Sequence, residues 1–257
     1  GLAQLANPRV ILTRIALVAL GGYGRAQLSP HSDLDVFLLY DGVLDEPLKK
    51  LNSFLMPFLW DVGFTVGYAI RSVDEVMALA HDDYKVFTSL LESRLLVGDN
   101  TVYARLRLQV RDMRYSDVAE RFVQDRVTER LRALPPELAD VYRPDPDLKE
   151  NAGGLRDYHT ALWLLMIRHG EVGLDDVVGL GLITPEEHLD IVQALDFIWR
   201  VRNELHFNTN KAENRLTFSL QQHVARAFGY GPEKGSKISR LMEDYYAAAR
   251  TLREFLN

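Results

Sequence analysis

Residues 17 to 40, LVALGGYGRAQLSPHSDLDVFLLY, run from one apolar stretch through a glycine-rich turn to two aspartates that open a second apolar stretch. The spacing limits what such a chain can fold into. Residues 15 to 20 (IALVAL) and 34 to 40 (LDVFLLY) are short, rich in β-formers and bounded by Gly, Pro, Ser and Asp, so both read as strands. Only seven residues separate Arg25 from Asp33, and Pro30 is one of them. A parallel crossover needs roughly ten to twelve residues, so no Rossmann-type helix joins these strands. Gly22 and Gly24 fit the first part of G-x-G-x-x-G, but Gln27 stands where the third glycine belongs. A P-loop is excluded because no Gly-Lys-Ser/Thr follows.

What remains is G-G, ten residues, then D-L-D running into a strand. Alternation along a strand puts Asp33 and Asp35 on one face and Leu34, Val36 and Leu38 on the other. Two adjacent carboxylates repel, and one tends to stay protonated unless a cation sits between them. A divalent metal removes the conflict. Mg²⁺ takes a few carboxylates together with phosphate oxygens, and metal ions steady the attacking and leaving oxygens of an in-line displacement at phosphorus. The preceding glycines free backbone N–H groups to approach a phosphate, and Arg25 offers a charge-assisted bond. D-x-D alone also fits an exposed strand start with Asp33 capping a turn; the strand and G-G in front favour the metal site. His31 reads as a turn residue.

Further along, EPLKKLNSFLMPFLWD (46 to 61) reads as a helix and GFTVGYAI (63 to 70) as a third strand. Ser72 and Glu75 form an S-x-x-E capping box that opens a helix through VDEVMALAHDD. Strand, turn, strand, helix, strand, helix make an α+β unit of about a hundred residues. From about Asp112 strand signals fade, so the chain divides into residues 1 to 112 and a mostly helical 113 to 257. Thr184, Pro185 and Glu187 make a second capping box, followed by Leu189, Val192, Leu195 and Trp199 at helical spacing. Ile238, Leu241, Met242, Tyr245, Ala249 and Leu252 do the same near the end. These stripes read as core. Residues 134 to 154, with four prolines and two glycines, are too broken for a long helix.

With 30 basic residues against 36 acidic ones the net charge is −6, which argues against a sequence-independent nucleic-acid binder. The chain has no cysteine, which rules out disulfides, Cys-ligated zinc, iron–sulfur clusters and thiolate catalysis. That fits a reducing compartment, and cytoplasm is the expectation. No apolar stretch approaches the roughly 20 residues that span a bilayer, and no secretory cleavage pattern is present. No membrane partner is expected. The chain opens on Gly1 rather than Met, which reads as a fragment or a tagged product.

G-G, the ten-residue gap and D-L-D resemble the nucleotidyltransferase superfamily that includes DNA polymerase β. More narrowly, GGYGRAQLSPHSDLDVFLLY resembles the amino-terminal part of the bacterial PII uridylyltransferase/uridylyl-removing enzyme family. LWDVGFTVGYAIRSVDE (59 to 75), TSLLESRLLVGD (88 to 99), PDLKENAGGLRDYHTALWL (146 to 164) and IWRVRNELHFNTNKAENRLTF (198 to 218) continue the likeness in order, over nearly the whole chain. The resemblance implies a small mixed-sheet, polymerase β-like domain followed by a helical domain. It implies transfer of UMP from UTP to a tyrosine hydroxyl of the PII nitrogen-signalling protein, with Mg²⁺ and release of pyrophosphate. Gly21 and Gly22 would cradle the triphosphate, and Asp33 and Asp35 would hold the metal. The hydrolase and glutamine-sensing domains of that family would lie outside residues 1 to 257.

The superfamily commonly adds a third carboxylate on a neighbouring strand. GFTVGYAIRS contains no Asp or Glu, which leaves Asp61 at its entrance as the nearest candidate; Asp61 also suits the end of the preceding helix. Tyr68 stands where many relatives carry histidine. In KENAGGLRD, Gly153 and Gly154 permit close backbone approach to a nucleotide, while Lys149, Arg156 and Asp157 bring charge to a helix start. A plain turn and a surface ion pair are the other reading. Arg71 is a weaker phosphate candidate, and Arg202, His206 and Arg215 read as packing or surface residues. Two alternatives stay open: adenylyl transfer to another protein or a small molecule, and a nucleotide-binding regulatory module without catalysis.

Overall fold

The computed structural model describes residues 13–61, 63, 65–132, 134–231 and 236–257. These residues fall into two units, one of residues 13–28 and 32–120, the other of residues 29–31 and 121–257.

The first unit is built on a four-stranded mixed sheet of order β3-β2-β1-β4. Its strands are β1 (Ile15–Ala19), β2 (Leu34–Tyr40), β3 (Val66–Ser72) and β4 (Arg94–Gly98). β1 runs antiparallel to β2 and to β4, while β2 and β3 are parallel. The short glycine turn returns the chain antiparallel, as the missing crossover required. The parallel step to β3 is made by α2 (Glu46–Asp61), numbered after the helical turn α1 (Gly21–Gly24). β3 starts at Val66, later than the sequence pattern suggested; Phe64 lies outside the described residues.

One face of the sheet packs Ile15, Leu38 and Tyr40 with Leu48 and Leu51 of α2, and half-buried Tyr68 and Ile70 join them. On the opposite face Ala16, Val18 and Leu39 are fully buried. There α5 (Asn100–Met113) packs against β1 and β2. Both faces being covered explains why β2 reads as an unbroken apolar run after Asp35. α3 (Val73–Asp82) opens on the expected capping box: Ser72 Oγ accepts from the Glu75 N–H (3.1 Å) and Glu75 Oε2 from the Ser72 N–H (2.7 Å). Such a cap is worth about 1 kcal/mol. α4 (Tyr84–Leu91) and the strand β4 were not visible in the sequence pattern.

α6 (Asp117–Val127) carries the chain onward into a π-helical turn, Thr128–Arg132, and the short α7 (Pro136–Ala139). The second unit is helical: α8 (Leu155–His169), α9 (Leu174–Gly179), α10 (Pro185–Thr209), α11 (Phe218–Ala227) and α12 (Lys237–Leu256). Its core gathers Leu162, Leu195, Ile198, Leu205, Leu241 and Tyr245, all buried. The Thr184/Glu187 capping box forms as expected. The buried face of α10 differs from the expected one, however. Ile191, Ala194, Leu195, Ile198, Val201 and Leu205 point inward, while Leu189 and Val192 are exposed. A helix of 25 residues carries more than one apolar stripe, and its neighbours α11 and α12 select which is covered.

Candidate active site

The end of β1 and the start of β2 are tied by the Leu20 N–H donating to the Asp35 carbonyl (2.9 Å). The chain then turns sharply at Gly21, whose φ of +52° is a left-handed value that favours glycine. Bonds from Gly24 N–H to Leu20 carbonyl (2.9 Å), Arg25 N–H to Gly21 carbonyl (3.0 Å) and Gln27 N–H to Gly22 carbonyl (2.8 Å) close α1. Gly24 has no room for a side chain: a Cβ would lie 2.2 Å from the Glu92 carbonyl oxygen.

Asp33 and Asp35 are both exposed at the start of β2, with Val36 and Leu38 buried on the other face. The Asp35 carboxylate lies between two glycines. A Cβ on Gly21 would be 3.5 Å from Oδ2, and a Cβ on Gly67 of β3 would be 2.4 Å from Oδ1. Gly67 is the direct β3 partner of Asp35, so its missing side chain gives the carboxylate its place. The Asp35 carboxylate beside side-chain-free backbone, with Asp33 two residues before it, offers hard oxygen donors of the kind that would suit a divalent ion such as Mg²⁺.

The register also addresses the third acid. Positions sharing the Asp35 face on the β3 side are Gly67, Ala69 and Arg71, preceded by Thr65, and none is acidic. Among the described residues, no three His, Asp or Glu side chains are gathered as a metal site. Asp61 is exposed at the end of α2. α2 covers the opposite face of the sheet. Tyr68 points to that face too, and burial raises its hydroxyl pKa above the usual tyrosine value. Arg71 shares the Asp35 face but sits four residues farther along β3, about 13 Å at strand rise.

Arg25, the phosphate contact expected from the sequence, has two side-chain partners in the structure. Its Nη1 pairs with the buried carboxylate of Glu92, and its Nε donates to Gln27 Oε1 (3.0 Å). Arg94 of β4 donates from Nε to the Gly24 carbonyl (3.1 Å) and from Nη2 to the Tyr23 carbonyl (2.8 Å), with its guanidinium over the Tyr23 ring. Sequence reasoning missed both roles. The signal was present in the E-S-R of TSLLESRLLVGD, but nothing local to it says that it meets the glycine turn.

In the second unit, KENAGGLRD is packed inside. Asn151 to Leu155 are buried. Gly153, at φ +75°, lies so close to α12 that a Cβ would be 2.1 Å from the Ala249 carbonyl oxygen. At Gly154 a Cβ would meet three carbonyls of the same loop, all under 3 Å. Asp157 is fully buried and accepts from Arg130 Nε (2.7 Å), Arg253 Nη1 (3.1 Å) and the Gly153 N–H (2.7 Å). Arg156 pairs with Glu150 (2.9 Å) and lies over the Trp163 ring. Half-buried Lys149 donates its backbone N–H to Asp147 Oδ1 (2.8 Å). These contacts make the loop a packing and charge-pairing element of its own unit.

Residues 29–31 belong to the same helical unit. Arg202 Nη1 donates to Ser29 Oγ (2.8 Å), and the His31 N–H donates to Nδ1 of the buried His206 (3.2 Å). Burial, helped by the charges of Arg202 and His31, pushes the His206 pKa down to about 4. Both residues were read as packing or surface groups; within their unit they hold Ser29 and His31.

A family model described as GlnD PII-uridylyltransferase matches residues 121–257. Three relatives are each described as a bifunctional uridylyltransferase/uridylyl-removing enzyme. That from Vibrio atlanticus is 35% identical over 95% of this chain and 28% of its own length. That from Phenylobacterium zucineum is 36% identical over 92% and 25%, and that from Caulobacter vibrioides 35% identical over 92% and 25%. The chain thus spans about a quarter of the length of these relatives. The family model covers more than half of the residues, all in the helical unit, the relatives match nearly the whole chain, and the chain belongs to the GlnD PII-uridylyltransferase family.

Proposed function

We propose that this chain carries the nucleotidyl-transfer site of a uridylyltransferase, moving UMP from UTP to a tyrosine hydroxyl of the PII signalling protein. The observation that carries the reading is the seat of Asp35, with one carboxylate oxygen over Gly67 and the other beside Gly21 at the head of the glycine turn. Gly21 and Gly22 would lie along the triphosphate, and Asp33 and Asp35 would hold Mg²⁺. The ion would supply charge neutralisation at the α-phosphate and the leaving oxygen. The acceptor oxygen bonds to the α-phosphorus, the bond to the bridging α–β oxygen breaks, pyrophosphate leaves, and the tyrosine proton passes to solvent.

Incubating the chain with α-labelled UTP, Mg²⁺ and purified PII protein tests this directly. Label on a PII tyrosine, with one pyrophosphate released per label, is the expected result; label from ATP alone would move the reading to adenylyl transfer. One observation favours a second reading, a nucleotide-binding module without catalysis: the β3 positions facing Asp35 carry no acid. That module would bind UTP and release no pyrophosphate.

A further inference from the structure

The glycine turn is not held by its own hydrogen bonds alone. The segment Glu92-Ser93-Arg94 straps it from β4. Glu92, with a side chain only 3% exposed, pairs with Arg25, the residue that follows the turn. Its carbonyl occupies the space that a Gly24 side chain would need. Arg94 donates to the last two carbonyls of the turn, Tyr23 and Gly24. The turn then exits through Ala26 in a left-handed conformation, φ +58°, which a non-glycine residue keeps only when its surroundings impose it. The other end of the turn is Gly21, beside the Asp35 carboxylate. A shift of the turn therefore moves Gly21 and Gly22 relative to Asp35.

We propose that Glu92 and Arg94 are positioning residues for nucleoside triphosphate binding, and that Arg25 acts as the strap's other half rather than as a phosphate ligand. The inference rests on the proposed function, because it assumes that the triphosphate lies along the turn. The buried Glu92 carboxylate pairs with Arg25, and a buried carboxylate is kept only where it is paired. Arg94 is largely exposed, so its two bonds to turn carbonyls are separable from the core of the unit.

The test is the dissociation constant for UTP with Mg²⁺, measured by calorimetry on the 257-residue chain, together with the urea midpoint. The variants are Arg94→Gln, Glu92→Gln, Arg25→Gln and the double variant Glu92→Gln/Arg25→Gln. Arg94→Gln should weaken UTP binding about tenfold or more, the range of a lost charged hydrogen bond, with an unchanged urea midpoint. Arg94→Lys, which keeps the charge and one donor, should recover part of that loss. Glu92→Gln and Arg25→Gln should weaken it comparably, and the double variant no further than either single one, as for two residues acting as one unit. A purely structural role would lower urea midpoints and leave the affinity of the folded protein unchanged. If Glu92→Gln bound UTP like the parent while Arg25→Gln did not, Arg25 would contact the triphosphate and the strap would be refuted. Should Glu92→Gln fail to fold, Arg94→Gln decides, and wild-type affinity in it overturns the inference. A parent chain that binds no UTP would sink the proposed function itself, a result distinct from parent binding with insensitive variants.

Discussion

The Asp35 carboxylate occupies space left by the missing side chain of a single residue, Gly67. Gly67 is exposed and has no positive φ, so backbone geometry alone would tolerate alanine there. Yet an added Cβ would fall 2.4 Å from Asp35 Oδ1. The carboxylate is the mobile partner and must rotate away. Gly67→Ala is therefore expected to keep thermal stability within about 0.5 kcal/mol, as surface changes do, while lowering transfer activity about tenfold or more by displacing a ligand. Wild-type activity in that variant would mean that the Asp35 orientation does not matter. The paired aspartates were legible in the sequence because strand alternation fixes which face they share. Gly67 was not, since its meaning depends on the parallel register of β3 against β2, a non-local fact.

At the scale of elements, two buried polar devices make predictions. Asp157 on α8 joins Arg130 of the π-helical turn to Arg253 of α12. Asp157→Asn leaves two buried or half-buried guanidinium groups without their anion and should cost about 3 kcal/mol or more, read as a lower urea midpoint. An unchanged midpoint would show the network to be dispensable. His206 on α10 is neutral in the folded protein down to about pH 4, held so by burial, by the nearby charges of Arg202 and His31, and against the opposing pull of Asn214 and Glu213. The unfolded chain takes up the proton first, near the ordinary histidine value of about 6.5. This contribution to stability is therefore complete above that value and is lost as pH falls from it through about 4. The stability gap between the parent and His206→Asn should narrow between pH 7.5 and 4.5; equal gaps at both would contradict the assignment. The helices and their capping boxes at Ser72 and Thr184 could be read locally because caps are short-range. The inward face of α10 and the burial of Gly153 and Gly154 could not, because a glycine shows that something approaches closely without showing whether that is a ligand or a neighbouring helix.

For the whole molecule, the fold class, a mixed-sheet unit and a helical unit, follows from signals spread along the chain. Too short a link between β1 and β2 excludes the common nucleotide folds, and apolar periodicity changes from strand-like to helical in the second half. β4 escaped notice because RLLVG is short and lacks alternation, although it supplies Arg94 and adjoins Glu92. None of the helices in the described residues is long and apolar enough to cross a membrane. Asp35, seated against the glycine turn, and Asp33, two residues before it, are expected to bind a nucleotide through a divalent ion. Calorimetric titration of UTP into the chain, with and without Mg²⁺, and into Asp33→Asn and Asp35→Asn, tests it most directly. Mg²⁺-dependent binding is expected in the parent and a loss on the order of a hundredfold in each variant, with folding intact. Binding of equal strength in parent and variants, or binding indifferent to Mg²⁺, would contradict it.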